Sequence, residues 1–274
     1  HRGAGAYICG EETGLLESAV EANPDADKRF VVRGGKLIQV PSSPPALLGS
    51  GLLSIWGKLR LLWEPFVGRG EDPDETVAAF VRRRLGQEAL DYMVDPFVSG
   101  VYAATPESMI LRHAFPLLSN LEKERRSLIL GGMKLAKQRK RKSKPKTRLI
   151  SFPDGLIAVP RRLARDLEGS IRTNATVRKV SRETSGWEVE WRENEERKAE
   201  LFDATLCALP AHKLTSITWE NLKSKEDLAT LAETPHHPVT VIYHGFRAED
   251  VKHPLDGFGF LVPRKENRCI LGTL

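Results

Sequence analysis

At 274 residues, with 41% hydrophobic and 28% charged side chains, the chain has the composition of a soluble globular protein with room for one large domain or two smaller ones. No apolar run reaches the ~18 residues that a membrane-spanning helix needs, and His1 begins neither a methionine start nor a basic-then-apolar leader, so the expectation is a soluble or peripheral protein, and a fragment of one. Cys9, Cys207 and Cys269 are too few and too scattered for a disulfide framework or a zinc site, which implies a reducing compartment and no metal; the net charge of +6 is concentrated in residues 134–148, KLAKQRKRKSKPKTR. With no aromatic residue interleaved for base stacking, that run is expected to be a solvated, mobile loop rather than a nucleic-acid site or an anionic-membrane patch.

The chain opens on Gly3-Ala4-Gly5-Ala6-Tyr7-Ile8-Cys9-Gly10-Glu11-Glu12-Thr13-Gly14. Close-set glycines let backbone approach a planar or phosphorylated cofactor, and Glu11 and Glu12 can accept hydrogen bonds. Residues 1–18 resemble the flavoprotein subunit of NADH-quinone dehydrogenase, where such a segment borders the FMN and NADH site. The likeness then stops, and the cysteines for that family's iron–sulfur cluster do not follow. A chimeric seam is therefore expected near residues 17–21, with residues 1–20 loosely attached for want of a packing partner.

Residues 30–32 and 36–40 read as a hairpin around Gly34-Gly35, which can take the positive φ of a tight turn, with Arg33 at its mouth. After the punctuation of Pro41-Ser42-Ser43-Pro44-Pro45, residues 50–63 carry Leu52, Leu53, Ile55, Trp56, Leu59, Leu62 and Trp63 near helical spacing. Asp72 or Asp74 is expected to cap a helix over 77–85 with Val77, Phe80, Val81 and Leu85 on one side and Arg82, Arg83 and Arg84 crowding its C-terminal end. A second helix over 88–94 leads to Asp95-Pro96. Over 95–106, prolines at both ends forbid a continuous helix, and the lone Gly100 implies backbone packed closely against something bulky and flat. Beyond the basic run come a helix over 156–167 and strands over 176–180, 187–191 and 206–209. Residues 238–246 alternate as a strand, and 257–263 and 269–274 follow.

Three stretches carry a second resemblance: DPFVSGVYA at 95–103, FPLLSNLEKERRSLILGGM at 115–133 and GFGFLVP at 257–263. Together with residues 23–37 and the FDATLCALPA segment at 202–211, they resemble oxygen-dependent protoporphyrinogen oxidase, of the FAD amine-oxidase-like superfamily, over about 22–274. The resemblance implies an α+β or α/β, incomplete FAD/NAD(P)-binding flavoprotein with a helical substrate- and membrane-facing domain and a β-rich substrate domain. Its N-terminal GxGxxG βαβ unit, which holds the pyrophosphate, is absent. The implied divisions are 1–20 foreign, 21–130 helical, 131–149 basic loop, 150–215 part of the FAD-binding domain and 216–274 part of the substrate domain.

The implied function is FAD-dependent six-electron oxidation of protoporphyrinogen IX to protoporphyrin IX by oxygen, with this chain inactive and unable to retain FAD by itself. The alternatives are another FAD amine oxidase, the NADH-quinone dehydrogenase subunit, or a non-enzymatic membrane-surface module. Arg33, Gly100, Ile242 and Phe258 are implied at the substrate, Arg33 on a propionate, and Val177, Ala208, Leu209 and Pro210 at the cofactor; no catalytic base is identified. The implied partners are protoporphyrinogen IX, a membrane surface and a second copy in a homodimer, without nucleic acid, in the cytoplasm or on the inner face of its membrane. The chain departs from that family at Ala104-Thr105-Pro106, where glycine and an acid usually precede the proline. A positive φ there would cost alanine about 1 kcal/mol.

Overall fold

The computed structural model describes residues 13–141, 149–222 and 225–274. The expectations for the N-terminal glycine-rich segment and for the end of the basic run fall on residues 1–12 and 142–148 and lie outside the described residues. The chain divides into two compact units, residues 1–20 with 151–238 and residues 21–150 with 239–274.

Besides the short pair Val20–Glu21 and Ile150–Ser151, the strands are, in order, β1 (Lys28–Arg33), β2 (Lys36–Gln39), β3 (Ala175–Arg182), β4 (Trp187–Glu193), β5 (Glu196–Phe202), β6 (Thr218–Glu220), β7 (Gly257–Leu261) and β8 (Gly272–Thr273). The larger unit holds one sheet in the order β8-β7-β1-β2. Its β1–β2 hairpin turns through Gly34 (φ 57°) and Gly35 (φ 73°), so two consecutive left-handed residues make the primed turn that matches the strand twist. Strand β7 runs parallel to β1 with Leu261 opposite Val31, and β8 returns antiparallel.

The helices of this unit are α1 (Pro44–Gly49), α2 (Ile55–Leu62), α3 (Val77–Arg84), α4 (Asp95–Tyr102), α5 (Leu111–Ala114), α6 (Pro116–Arg125) and α7 (Leu128–Arg141). Helix α3 is capped by Thr76, whose Oγ1 accepts the Ala79 N–H at 3.1 Å, and not by Asp72 or Asp74; Asp72 instead accepts the Asp74 N–H at 2.8 Å in a local turn. Val77, Phe80 and Val81 point into a core with Ala78, Leu90 and Leu111, and Phe115, Leu118 and Leu128 cover its side. A smaller core joins Val31, Leu52 and Tyr92 under the sheet.

The stretch 95–106 is not one continuous helix, since α4 ends at Tyr102, but Pro96 itself does not interrupt the helical path that leads into it. The chain is helical from Gln87, through a π-helical stretch Leu90–Val94, into α4, with Pro96 in the first turn of α4. A proline in an α-helix clashes with the carbonyl four residues back, and the wider π turn in front of α4 relieves that contact. The close neighbour of Gly100 is Leu261 of β7: a Cβ at that glycine would collide with the leucine side chain.

The left-handed residue at the end of α4 is Ala103 (φ 50°, ψ 32°), one position before the Ala104 anticipated from the sequence. Such a cap favours glycine, so Ala103→Gly should stabilise the larger unit by about 1 kcal/mol, read as a higher urea midpoint at unchanged slope. The expected loop over 131–149 is also corrected in part, since α7 stays helical to Arg141.

The smaller unit is a second sheet in the order β5-β4-β3-β6, with β6 parallel to β3, accompanied by α8 (Ala158–Asp166) and α9 (Lys225–Ala232). Two expected strands do not form. Residues 203–209 and 237–247 pair with nothing in a sheet, and Leu206 is 92% exposed. An alternating pattern makes a strand only when a neighbour supplies the ladder of hydrogen bonds, and these segments find no such neighbour among the described residues.

Candidate functional site

The larger unit gathers three of the four residues expected at the substrate. Arg33 ends β1, Phe258 lies on the adjacent β7, and Gly100 packs α4 onto Leu261 of that same strand. Ile242, the fourth, sits on the unpaired segment and is 72% exposed.

The surroundings of Arg33 are already occupied. Its guanidinium pairs with Glu88, donates to the Leu52 carbonyl and lies 4.5 Å over the Tyr92 ring. Glu88 in turn accepts the Ser54 N–H at 3.0 Å and the Ser54 hydroxyl at 2.6 Å, while Ser54 caps α2 by accepting the Gly57 N–H at 3.1 Å. One carboxylate thus clasps the hairpin, the start of α2 and the turn before α4. Burial acts against the charged form of Glu88, but the bonds from Ser54 and Arg33 outweigh it and hold the carboxyl below its ordinary 4.5. A depressed carboxylate stabilises fully above pH 4.5 and loses its contribution as pH falls below that value. Glu88→Gln should therefore cost about 2–3 kcal/mol near neutral pH and flatten the acid limb of the stability curve, as followed by urea unfolding at several pH values.

The turn of the hairpin is pinned as well. Gly34 and Gly35 donate their N–H groups to the Glu266 carboxylate at 2.8 and 3.1 Å, which lowers the pKa of that acid, and Lys265 lies 5.6 Å from the centre of the Tyr92 ring. Asp95, buried at the start of α4, accepts the Arg264 N–H at 2.9 Å just beyond β7. These contacts hold β1, β7 and α4 as one frame.

At the other end of β1, Arg29 shares a sheet face with Val31 and Arg33 because alternate strand residues point the same way. Its guanidinium carbon lies 5.7 Å from the Phe258 ring centre, it is exposed, and it makes no ion pair among the described residues beyond a 3.5 Å approach to the Asp27 carbonyl. Sequence reading passed over Arg29. The available signal was its four-residue spacing from Arg33, which places both on one face of a strand, but only the pairing with β7 puts Phe258 beside it.

The residues expected at the cofactor lie in the smaller unit. Val177 is half-buried in β3 opposite Trp191, at an irregularity between Val177 and Lys179, while Ala208, Leu209 and Pro210 are exposed on the unpaired segment. The described residues contain no strand–glycine–helix unit whose N–H groups converge on a pyrophosphate. They do not fit a whole FAD.

A third feature is an apolar surface. Ile55, Trp56, Leu59 and Leu62 of α2, with Trp63 and Phe66 after it, are all exposed, Trp56 at 79%, whereas Leu52 and Leu53 just before the helix are buried. Among the described residues no helix is long and apolar enough to cross a membrane.

The chain matches the family described as flavin containing amine oxidoreductase over residues 7–272, a span that begins inside the stretch resembling NADH-quinone dehydrogenase. It is 33% identical to the mitochondrial protoporphyrinogen oxidase of Nicotiana tabacum over 90% of this chain and 54% of that protein. It is 30% identical to the protoporphyrinogen oxidase of Homo sapiens over 92% of this chain and 54% of that one. The chain spans about half the length of the curated relatives it matches. In fold it is similar to a crystal structure from Exiguobacterium sp. 255-15 described as a protoporphyrinogen oxidase, with TM-score 0.68 and 20% identity over 97% of this chain and 58% of that one. A putrescine oxidase structure gives TM-score 0.52 at 14% identity over 82% of this chain and 49% of that one.

Proposed function

The chain belongs to the flavin-containing amine oxidoreductase family and has its α+β, amine-oxidase-like fold; from this premise we propose that it is the substrate-facing part of an FAD-dependent protoporphyrinogen oxidase. In that enzyme six electrons leave protoporphyrinogen IX for oxygen. The observation that carries the reading is Arg29 beside Phe258: a cation without an acidic partner among the described residues, next to an exposed aromatic face, suits a flat, apolar macrocycle that bears carboxylates. Phe258 supplies stacking area, Arg29 a bidentate donor for a propionate, and Arg33 holds the strand through Glu88. The macrocycle would lie at the Arg29–Phe258 end of β1 and β7, beside the part of the sheet where Leu261 packs on Gly100.

The reading includes a membrane. The exposed tryptophans and aliphatic residues of α2 form the kind of patch that docks on a bilayer surface, and an apolar tetrapyrrole is well delivered from there. With it goes a cytoplasmic protein held peripherally on the inner face of the membrane.

The experiment is a flavin and turnover assay on the full-length protein and on this chain alone. The full-length protein is expected to carry flavin absorbance and to convert anaerobically prepared protoporphyrinogen IX, on admission of air, into fluorescent protoporphyrin. The chain alone should emerge from FAD incubation and desalting without stoichiometric flavin, because its described residues hold no cradle for the pyrophosphate. Absence of turnover in a flavin-loaded full-length protein would refute the assignment.

A further inference from the structure

We propose that α7 is a lipid-binding element that makes membrane docking selective for anionic bilayers; the proposal rests on the reading of the α2 surface as the docking face. Glu64 is wholly buried and accepts the Ser127 hydroxyl at 2.6 Å, the Leu128 N–H at 2.8 Å and the Ile129 N–H at 3.4 Å. The first turn of α7 is thereby fixed to a residue that stands between the exposed Trp63 and Phe66. Helix α7 consequently starts at the edge of the apolar surface.

From that edge the helix changes character along one side. Leu130, Met133, Lys134 and Lys137 follow at intervals of three and four, so they share a face, and all four are exposed, Leu130 at 57% and Met133 at 62%. Gly131, by contrast, is buried against Leu121 and Arg125 of α6. Between Leu128 and Arg141 the sequence has five cations, Lys134, Lys137, Arg139, Lys140 and Arg141, and no acid. The helix dipole accounts for cations near the C-terminal end. It does not account for two large apolar side chains held in water on the same face. Apolar residues that give way to lysines along an exposed face are what an interfacial helix presents, with the apolar groups at the acyl boundary and the lysine stems reaching up to the headgroups. A nucleic acid would meet the same charge, but the helix offers it no aromatic ring for stacking.

Each lysine near an anionic surface strengthens partition by roughly fivefold, and salt weakens the effect. The test is co-sedimentation of the chain with phosphatidylcholine vesicles and with vesicles containing about one third phosphatidylglycerol, at about 0.1 M and about 0.5 M salt. The anionic vesicles should bind at least about tenfold more tightly at low salt, and the doubly substituted Lys134→Gln, Lys137→Gln protein should lose most of that difference. Both lysines are exposed, so the variant should keep its fold, and Trp56→Ser supplies the comparison: it should weaken binding to both vesicle types alike. Equal binding of the parent chain to neutral and anionic vesicles, or an unchanged preference in the double variant, overturns the role of α7 and leaves the α2 reading standing. Binding to neither vesicle type overturns both. Capture of a single-stranded RNA oligonucleotide without vesicle binding also overturns the proposal, in favour of a nucleic-acid surface.

Discussion

Arg84→Met should destabilise the larger unit by about 3–5 kcal/mol, as measured by urea unfolding near neutral pH. Arg84 is completely buried at the end of α3. Its Nε donates to Glu122 at 2.8 Å, Nη1 to the Val67 and Glu64 carbonyls at 3.0 and 3.3 Å, and Nη2 to the Arg126 carbonyl at 2.6 Å, while the Glu64 carboxylate lies at 3.2 Å. Methionine fills much of the volume and supplies no donor, so three carbonyls and part of two carboxylates lose their partner in a place water does not reach. Arg83 softens the loss at Glu122, which it approaches at 2.9 Å; its own pKa is raised, chiefly by its hydrogen bonds to Glu75. Replacing the whole cluster is a different matter. Adding Glu64→Gln and Glu122→Gln to Arg84→Met should recover part of the stability, because the desolvated charges go together with their partner. A loss below about 1 kcal/mol for the single change would mean that water enters and satisfies these carbonyls.

Arg29→Ala in the full-length protein should raise KM for protoporphyrinogen IX by roughly tenfold or more with a much smaller change in kcat. A bidentate charged hydrogen bond to a propionate is worth about 1.5–3 kcal/mol, and a propionate remote from the reacting carbons contributes equally to ground and transition states. Arg29→Lys keeps the charge, loses the fork and should fall between. Arg33→Ala should behave otherwise. It strands Glu88 beside Ser54 and removes the guanidinium from over the Tyr92 ring, so the expected result is lower stability with KM moved less than by Arg29→Ala. If Arg33→Ala raises KM and Arg29→Ala does not, the propionate belongs to Arg33, as the sequence reading had it, and Glu88 must release that side chain when substrate binds.

What the sequence determined by itself was local. Two glycines between β-rich runs specified the β1–β2 turn, because only residues at ease with positive φ complete it. The spacing of Val77, Phe80 and Val81 specified the buried side of α3, since a helix period can be read from neighbours three and four residues apart. The DPFVSG and FPLLSNLEKE stretches identified the family from residues alone. Tertiary structure decided whatever depended on distant partners. Three arginines end α3, and the helix period puts Arg84 on the side of Val77, Phe80 and Val81 and leaves Arg82 in water; what makes burial of the Arg84 charge tolerable is not local, since its partners are Glu122, 38 residues away, and Glu64. Two arginines share a face of β1, and it is Glu88, 55 residues from Arg33, that occupies one while the parallel pairing with β7 brings Phe258 to the other. The segments expected as strands at 206–209 and 238–246, the second with an alternating pattern, remain unpaired, because side-chain periodicity selects a face and only a neighbouring backbone can supply the hydrogen bonds that make a sheet.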